Sequence, residues 1–188
     1  MSVLLAGLPK EVPGTTVNRN CSSALEAVNL AAKTILVGEG DLAIGSGVEC
    51  MSRAPWAMMK PERLPTTSPP KMWDTTVGWR FNNAKMDEMY PIVSLGEGAE
   101  IIAEEMQISR DDQDAYSLES HSRAIAAIND GKFKDEIIEI SVPQRRGDPV
   151  VVDTDEHPRY EKSNGKYEMA IDTESLAKLR PAFKKDGS

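Results

Sequence analysis

Apolar residues recur at helical spacing near the start of the chain. They predict one face of a helix from about Ser22 to Val37, which Gly38 and Gly40 end. A continuous apolar run follows at Asp41–Gly45 and predicts a buried strand. A helix followed by a buried strand indicates an α/β layer. The helical pattern comes from Leu25, Val28, Ala32, Ile35 and Leu36.

The texture changes between Arg53 and Pro91, where prolines and tryptophans concentrate. Prolines disfavour a regular ladder, while tryptophans favour burial. We expect an ordered, irregular excursion. It is either a loop packed on its own body or a subunit contact or pocket wall, and the pattern leaves both open. The residues are Pro55, Pro61, Pro65, Pro69, Pro70, Pro91, Trp56, Trp73 and Trp79.

Helical spacing returns in the second half of the chain, and strand patterns follow it. Ser109 begins a stretch that resembles a capping box, and Gly131 stands where a helix ends. Thr173 is a candidate cap for a last short helix. The predicted helices and strands are Gly96–Gln107, Ser109–Gly131, Glu136–Ser141 and Val150–Val152.

Composition narrows the class of protein. The 188 residues are 40% hydrophobic and 28% charged, which is typical of a globular chain. A net charge of -8 argues against nucleic acid as a partner but allows a local basic pocket. No stretch approaches the ~20 apolar residues that span a bilayer, so we expect no membrane partner. Two cysteines, Cys21 and Cys50, are too few for a disulfide scaffold and favour a reducing compartment, the cytoplasm.

The two ends predict a piece of a larger protein. Only one short apolar segment precedes Cys21, and the tail Phe183–Ser188 resembles a turn. The alternative, a small self-contained domain, stays open on this evidence.

Cys21 opens the first predicted helix. Backbone N–H groups and the helix dipole can stabilise a thiolate at such a position, and thiolates attack carbonyl carbons. The same N–H groups can hold a developing oxyanion. Position alone leaves an inert buried cysteine as the alternative. Asn18 and Arg19 are predicted to orient the loop that leads into this helix.

Several blocks then point to one family. Val12–Val28 closely resembles the active-site signature of the thiolase family, and Gly45–Pro55 resembles its glycine-rich strand end. Further blocks follow in the family's order and extend the resemblance over nearly the whole chain. They are Leu95–Glu100, Ser109–Asp114, Gly131–Ile137, Asp155–Arg159 and Leu176–Phe183.

The resemblance implies a thiolase-like αβαβα core, partial here, and an α+β loop domain. Residues 1–50 would end the first half of the core, and residues 51–188 would form the loop domain that binds coenzyme A. The implied activity is an acyl-CoA acyltransferase. It would run a ping-pong Claisen condensation or thiolysis of a 3-ketoacyl-CoA through a thioester on Cys21, active only within a complete chain.

The resemblance also implies partners and a metabolic setting. Acyl-CoA and coenzyme A would be substrates, with no tightly bound cofactor and no metal. The complete protein would be a homodimer or homotetramer, in fatty acid metabolism such as β-oxidation.

Three binding residues carry over from the family. Arg159, Ser175 and Phe183 match positions near the nucleotide end of coenzyme A. A planar guanidinium can stack on adenine or pair with phosphate, although a solvated surface arginine is the plainer interpretation. The pair Arg145 and Arg146 is interpreted as an exposed turn.

Other family features are missing or changed. The Gly-His-Pro block with the activating histidine, the Cys-x-Gly block and the Asn-Glu-rich block are not found in this sequence. His121 is interpreted as structural or solvated, and His157 as a loop residue. At four positions the residue type departs from the family, and one stretch resembles an insertion. The four substitutions are Ala24 for glycine, Cys50 for serine, Leu95 for methionine and Ser94 for histidine, and the insertion is Tyr160–Ala170. Cys50 is interpreted as a small buried residue.

Two other classes compete with the thiolase hypothesis. Asn20–Leu25 also resembles the cysteine elbow of ketoacyl synthases, although the blocks after residue 90 favour a thiolase. The missing blocks favour a non-catalytic module that binds coenzyme A or lipid, or an oligomerisation fragment.

Overall fold

The computed structural model describes residues 1–61 and 69–188. Pro65, one of the prolines in the predicted excursion, lies outside the described residues. Contacts divide the chain into two units, Met1–Phe81 and Asn82–Ser188. These units do not test the domain boundary predicted after residue 50, which stays a prediction. The first unit contains α1 (Ser2–Leu5), α2 (Ser23–Leu36), a 3-10 turn (Met51–Arg53), β1 (Trp56–Met58) and β2 (Met72–Asp74).

Helix α2 confirms the first predicted helix to within a residue at each end. Ser22 is its N-cap and Val37 its C-cap. Gly38 has φ +75°, a left-handed backbone that glycine adopts without steric cost and that stops the helix.

The buried strand predicted at Asp41–Gly45 is not formed. The segment is irregular, and Leu42 and Ile44 are 87% and 77% exposed. A strand needs a hydrogen-bonded neighbour, and among the described residues none pairs with this segment. The predicted strand was therefore wrong for these residues. An apolar run indicates a tendency to be buried, but it does not show whether a neighbouring strand is present to pair with it.

The same segment lies against α2 by close backbone contact. A Cβ on Gly45 would come within 2.6 Å of the Cα of Val28, and one on Gly47 within 2.5 Å of the Cβ of Ala24. Glycine at both positions lets the segment cross the helix near its N-terminal half.

The proline-rich excursion forms a short antiparallel ladder between β1 and β2, with Trp56 opposite Asp74 and Met58 opposite Met72. Beyond the ladder, the rings of Trp73 and Phe81 pack with centroids 4.7 Å apart. The excursion is thus ordered in its described part, as predicted.

The second unit contains four helices and two hairpins among its described residues. The helices are α3 (Ala84–Met89), α4 (Leu95–Glu105), α5 (Arg110–Asn129) and α6 (Thr173–Ala177). Strands β3 (Ile140–Val142) and β4 (Val150–Val152) pair antiparallel, as do β5 (Tyr160–Ser163) and β6 (Lys166–Met169).

Helices α4, α5 and α6 each begin after an N-cap residue whose side chain accepts a hydrogen bond from the first turn. The Ser109 side chain accepts from the Asp112 N–H, and the Asp112 carboxylate accepts from the Ser109 N–H, which confirms the predicted capping box. Ser94 and Glu97 form the same device at α4. At α6 the cap is Asp172 and not Thr173.

The predicted insertion Tyr160–Ala170 is the β5–β6 hairpin. Asn164 and Gly165, with φ +51° and +78°, form its two-residue turn. Asn-Gly is the pair that favours such a turn.

Little apolar surface is buried in either unit. Of the residues that the structure describes, Ile125 alone is buried, at 6% exposure. Many large apolar side chains on α2, α4 and the strands are exposed. The apolar faces of these elements are therefore largely open in the described part of the chain.

Candidate functional site

One candidate site, in the first unit, is the turn that carries Cys21. Asn20 has φ +51°, a left-handed conformation that asparagine tolerates better than most residues. Its N–H donates to Oδ1 of Asn18 at 3.0 Å. Ser23 Oγ accepts from the Arg19 N–H at 2.8 Å and donates to the Asn20 carbonyl at 2.7 Å. Cys21 is exposed and stands between this turn and Ser22.

Arg19 ties the turn to the helix that follows. Its Nη1 donates to Oε2 of Glu26, one turn into α2, at 2.7 Å. This contact and that of Asn18 agree with their predicted role in orienting the loop.

The start of α2 leaves donors open. Ser22 makes no side-chain cap hydrogen bond. Within residues 1–61 and 69–188, the N–H groups of Ala24 and Leu25 have no hydrogen-bond acceptor, whereas those of Ser23 and Glu26 do. Open N–H groups at a helix start favour an anion or a carbonyl oxygen with developing negative charge. An exposed thiol shortly before them supplies a nucleophile beside possible oxyanion donors, which are two of the parts that acyl transfer from a thioester needs.

Ala24 occupies the position where the resemblance predicts glycine. Its methyl group faces Gly47. The extra carbon is thus accommodated by a glycine of the same unit.

Cys50 is predicted to be a small buried residue, and this prediction is wrong, because the structure shows Cys50 exposed. Its Sγ lies 3.7 Å from Ser52 Oγ. The segment before it has no strand partner among the described residues, so nothing there covers the thiol.

A separate candidate site, a cavity of about 850 Å³, lies in the second unit. Two of the three predicted binding residues, Arg159 and Ser175, line it together. Residues from α5, the segment before β5, and α6 form its walls. The other lining side chains that matter here are Ser117, His121, Glu156, His157 and Glu161.

Charge in this cavity is mixed. The Arg159 guanidinium is exposed and has no ion-pair partner among the residues described. Glu156 and Glu161 line the same cavity, so an anionic group would have to lie on the Arg159 side.

One residue that lines the cavity and one that caps α6 have shifted pKa values. Hydrogen bonds from Ser175, first from its N–H, lower the pKa of Asp172, which caps α6. Desolvation, followed by the charges of Tyr167 and Glu156, raises the pKa of Tyr160. Tyr160 therefore stays a neutral phenol, and its hydroxyl donates to the Asp155 carbonyl at 3.2 Å.

Phe183 lies elsewhere in the second unit. Its ring packs over Gly96 near the start of α4, where a Cβ would collide with it, and it is 61% exposed. It does not line the cavity of Arg159 and Ser175. Lys184 holds the tail there, since its Nζ donates to Oε2 of Glu104 at 2.6 Å.

Sequence reasoning missed His121 as part of the cavity. It is half-buried, lines the wall and accepts a hydrogen bond from the Arg159 N–H. No local signal could have shown this, because the partner lies 38 residues further along the chain. His157 is a loop residue, as predicted, although it lines the same cavity.

The described part of the chain offers no candidate for a metal site or a membrane-spanning helix. No group of three or more His, Cys, Asp or Glu residues there could hold a metal ion. No helix there combines the length and apolarity that crossing a membrane requires.

These features define a chain of the thiolase class, and comparison with known proteins establishes the family. A family model described as "Thiolase, N-terminal domain" matches residues 1–188. The chain therefore belongs to the thiolase family, as its sequence blocks predicted.

Individual relatives share this assignment. The chain is 47% identical over 188 residues to a beta-ketoadipyl-CoA thiolase of Acinetobacter baylyi, covering all of this chain and 44% of that protein. It is 40% identical over 187 residues to the 3-oxoadipyl-CoA/3-oxo-5,6-dehydrosuberyl-CoA thiolase of Escherichia coli, again with 44% covered. The chain thus spans less than half the length of these relatives.

A solved structure supports the same fold. The acetyl-CoA acetyltransferase of Bacillus anthracis matches with a TM-score of 0.79 and 35% identity, over all of this chain and 43% of that one. This match confirms the predicted thiolase-like α/β fold.

Proposed function

We propose that this chain supplies the nucleophile and a coenzyme A-binding surface of a thiolase, an acyl-CoA acyltransferase. The observation that carries the proposal is the exposed Cys21 thiol directly before α2, whose Ala24 and Leu25 N–H groups have no acceptor among the described residues. Membership in the thiolase family favours this over the ketoacyl synthase alternative.

The proposed chemistry has two halves. The Cys21 thiolate attacks the 3-keto carbon of a 3-oxoacyl-CoA, and the C2–C3 bond breaks. The acyl group stays on sulfur as a thioester, and acetyl-CoA leaves after its carbanion takes a proton. The thiol of free coenzyme A then loses a proton, attacks the thioester and releases the shortened acyl-CoA and the Cys21 thiolate. Claisen condensation is the reverse sequence.

The contribution of α2 is electrostatic. Negative charge develops on the carbonyl oxygen when sulfur adds to it, and open N–H groups at a helix start stabilise such charge without reorganising. The residues that donate and accept the protons are not assigned to this chain. We propose the activity for the complete protein.

Arg159 and Ser175 are proposed to hold coenzyme A at the cavity of the second unit. The Arg159 guanidinium has no ion-pair partner among the described residues, which supports this role, since it can stack on adenine or pair with phosphate. Phe183 stays a proposed contact on the resemblance alone, because its ring packs over Gly96 of α4 and does not line the cavity.

The substrate class is proposed from the relatives. Several are named beta-ketoadipyl-CoA thiolases, which points to a 3-oxoacyl chain that ends in a carboxylate. One relative, 41% identical, is named acetyl-CoA acetyltransferase, so acetoacetyl-CoA is the second candidate. The ratio of kcat/KM for the two substrates in the complete protein decides between them.

We also propose a cytoplasmic homodimer or homotetramer for the complete protein. Two free thiols favour a reducing compartment. The exposed apolar side chains need covering surfaces, which further chain segments or further subunits can supply. Light scattering of the complete protein measures the oligomeric state.

The test of the main proposal is acylation of the complete protein. Incubation with acetyl-CoA followed by mass spectrometry should place one acetyl group on Cys21. Cys21→Ser should remove the adduct and thiolysis together. Cys50→Ser is the matched control, since it removes the other exposed thiol and should keep both. An acetyl group on Cys50 alone contradicts the proposal.

A further inference from the structure

A single hydrogen bond joins the middle of α5 to the chain segment that carries Arg159. The Arg159 N–H donates to Nδ1 of His121 at 3.2 Å. A nitrogen that accepts a hydrogen bond carries no proton, so the imidazole proton of this contact lies on Nε2. His157 lies nearby, its ring centroid 6.2 Å from that of His121, but among the described residues it accepts no hydrogen bond.

The peptide of Arg159 is held from both sides. Its carbonyl accepts from the Ala170 N–H at 3.0 Å, which continues the β5–β6 pairing. Its N–H is taken by His121. Because the guanidinium itself has no ion-pair partner among the described residues, these two backbone bonds set the direction in which the side chain leaves the backbone.

Helix α5 also holds the α6 wall of the cavity and the β5–β6 hairpin, whose Tyr160 and Glu161 line the cavity, by hydrogen bonds from its side chains to backbone groups. Near its start, Arg110 Nη2 donates to the Leu176 carbonyl of α6 at 2.6 Å, and Nη1 to the Leu179 carbonyl at 3.2 Å. Asp114 fixes that guanidinium with an ion pair of 2.9 Å. At its end, Asn129 binds both backbone groups of Tyr167, at 2.9 and 2.7 Å.

His121 stands on the appropriate face for the remaining wall. Positions 110, 117 and 121 are separated by seven and eleven residues, and both spacings return to nearly the same side of a helix. Among the hydrogen bonds of the described chain, the one that His121 accepts is the one that joins α5 to residues 155–159. The α6 and hairpin walls have their own ties, but this wall depends on an imidazole.

We propose that His121 is a positioning residue for coenzyme A: it fixes the Arg159 peptide so that the guanidinium faces the ligand. The inference rests on the proposed function of Arg159. The physical reason is preorganisation: the direction of the Arg159 side chain is fixed before coenzyme A arrives, so less conformational entropy is lost on binding.

The experiment compares two substitutions of similar size in the complete protein. In H121N, Oδ1 stands near the place of Nδ1 and can still accept, whereas H121L fills the space without an acceptor. Isothermal titration calorimetry gives the Kd for coenzyme A. H121L should weaken binding about threefold to tenfold, the range that one hydrogen bond contributes, and H121N should stay within about twofold of the parent.

A second background separates positioning from general destabilisation. In R159A the guanidinium is gone, so adding H121L should weaken binding no further. The parent and H121N should also share one melting temperature, which shows that the comparison is made on folded protein. This non-additivity is the signature of two residues that act as one unit.

Three results would overturn the inference. Two of them spare the proposed function: H121L binds like the parent while R159A binds weakly, or H121L weakens binding equally in both backgrounds. In the third, R159A itself binds like the parent. That result removes the proposed role of Arg159 and the inference with it.

Discussion

The methyl group of Ala24 faces Gly47, whose missing Cβ would stand 2.5 Å from it. Ala24 lies in the first turn of α2, close behind Cys21 in sequence. The sequence has alanine at position 24 where the family has glycine, and the structure shows which residue the extra methyl group packs against. The space that accommodates the extra methyl is provided by the glycine at position 47.

We expect G47A to destabilise the complete protein by about 1–3 kcal/mol, the range for overpacking. The added methyl would meet Ala24 and separate the segment from α2. The double variant A24G/G47A moves the methyl from one side of the contact to the other and should recover most of the loss, apart from the ~1 kcal/mol cost of a helical glycine. Thermal unfolding measures both.

G45A is the matched comparison. Its methyl would meet the backbone of Val28 at 2.6 Å and of Ala27 at 2.8 Å, and no side-chain truncation can relieve a backbone contact. It should therefore destabilise at least as much as G47A. Equal stability of G47A and the parent would show that the segment moves freely along α2.

Replacing Arg159 by alanine should raise KM for the acyl-CoA with little change in kcat. That is the pattern of an interaction made equally in the ground and transition states. R145A is the control, because Arg145 is also an exposed arginine of the second unit but does not line the cavity. Steady-state kinetics on the complete protein, with both variants measured at one salt concentration, separates a specific contact from a general loss of charge. An unchanged KM in R159A contradicts the assignment.

The cap of α6 should depend on pH. The Asp172 carboxylate accepts from the Ser175 N–H at 2.8 Å, and this bond lowers the pKa of Asp172. A group whose pKa is lowered by folding stabilises the folded state above its ordinary pKa and loses that contribution as the pH falls through the lowered value. We therefore expect the cap to be intact at neutral pH and to weaken below about pH 4.

The amide proton shift of Ser175, followed by NMR from pH 6 downward, measures this prediction. Its midpoint should lie below the ordinary aspartate pKa. D172N is the control, since its amide oxygen can still accept while it has no charge to lose, so its titration should be flat over the same range. A parent midpoint at or above the ordinary value would contradict the assigned bond.

Sequence reasoning succeeded where structure is local. Ser109 and Asp112 are three residues apart, so their capping box could be predicted from spacing, as could the stop at Gly38. The strand predicted at Asp41–Gly45 was wrong because a strand requires a hydrogen-bonded neighbour, and the residues of the segment itself cannot show whether one is present. His121 was missed for the same reason: its hydrogen bond to Arg159 spans 38 residues, and a histidine on a largely polar helix carries no pattern of its own.

The candidate site residues likewise fall into those predictable from local sequence and those that needed the family resemblance. The place of Cys21 at a helix start could be predicted because its turn and the helix start are contiguous, and the family signature covers them. Its role as nucleophile stays a prediction. The pairing of Arg159 with Ser175 in one cavity needed the resemblance, since 16 positions and a hairpin separate them. Phe183 shows the limit of that transfer, because its ring packs over Gly96 and not in that cavity.

The 188-residue chain by itself should not turn over as a thiolase. Close to Cys21, the N–H groups of Ala24 and Leu25 have no acceptor among the described residues and can assist addition to a carbonyl. Thiolysis also needs a base for the thiol and an acid for the leaving carbanion. The family's Gly-His-Pro and Cys-x-Gly blocks, which supply them, are not in this sequence, and losing members of such a unit lowers kcat by several powers of ten. Thiolysis of acetoacetyl-CoA by the purified chain is the measurement, with the complete protein as the positive control and C21S as the blank. A rate within about tenfold of the ~10 per second of an ordinary enzyme would require a base inside this chain. His121 and His157 would then be the residues to replace first.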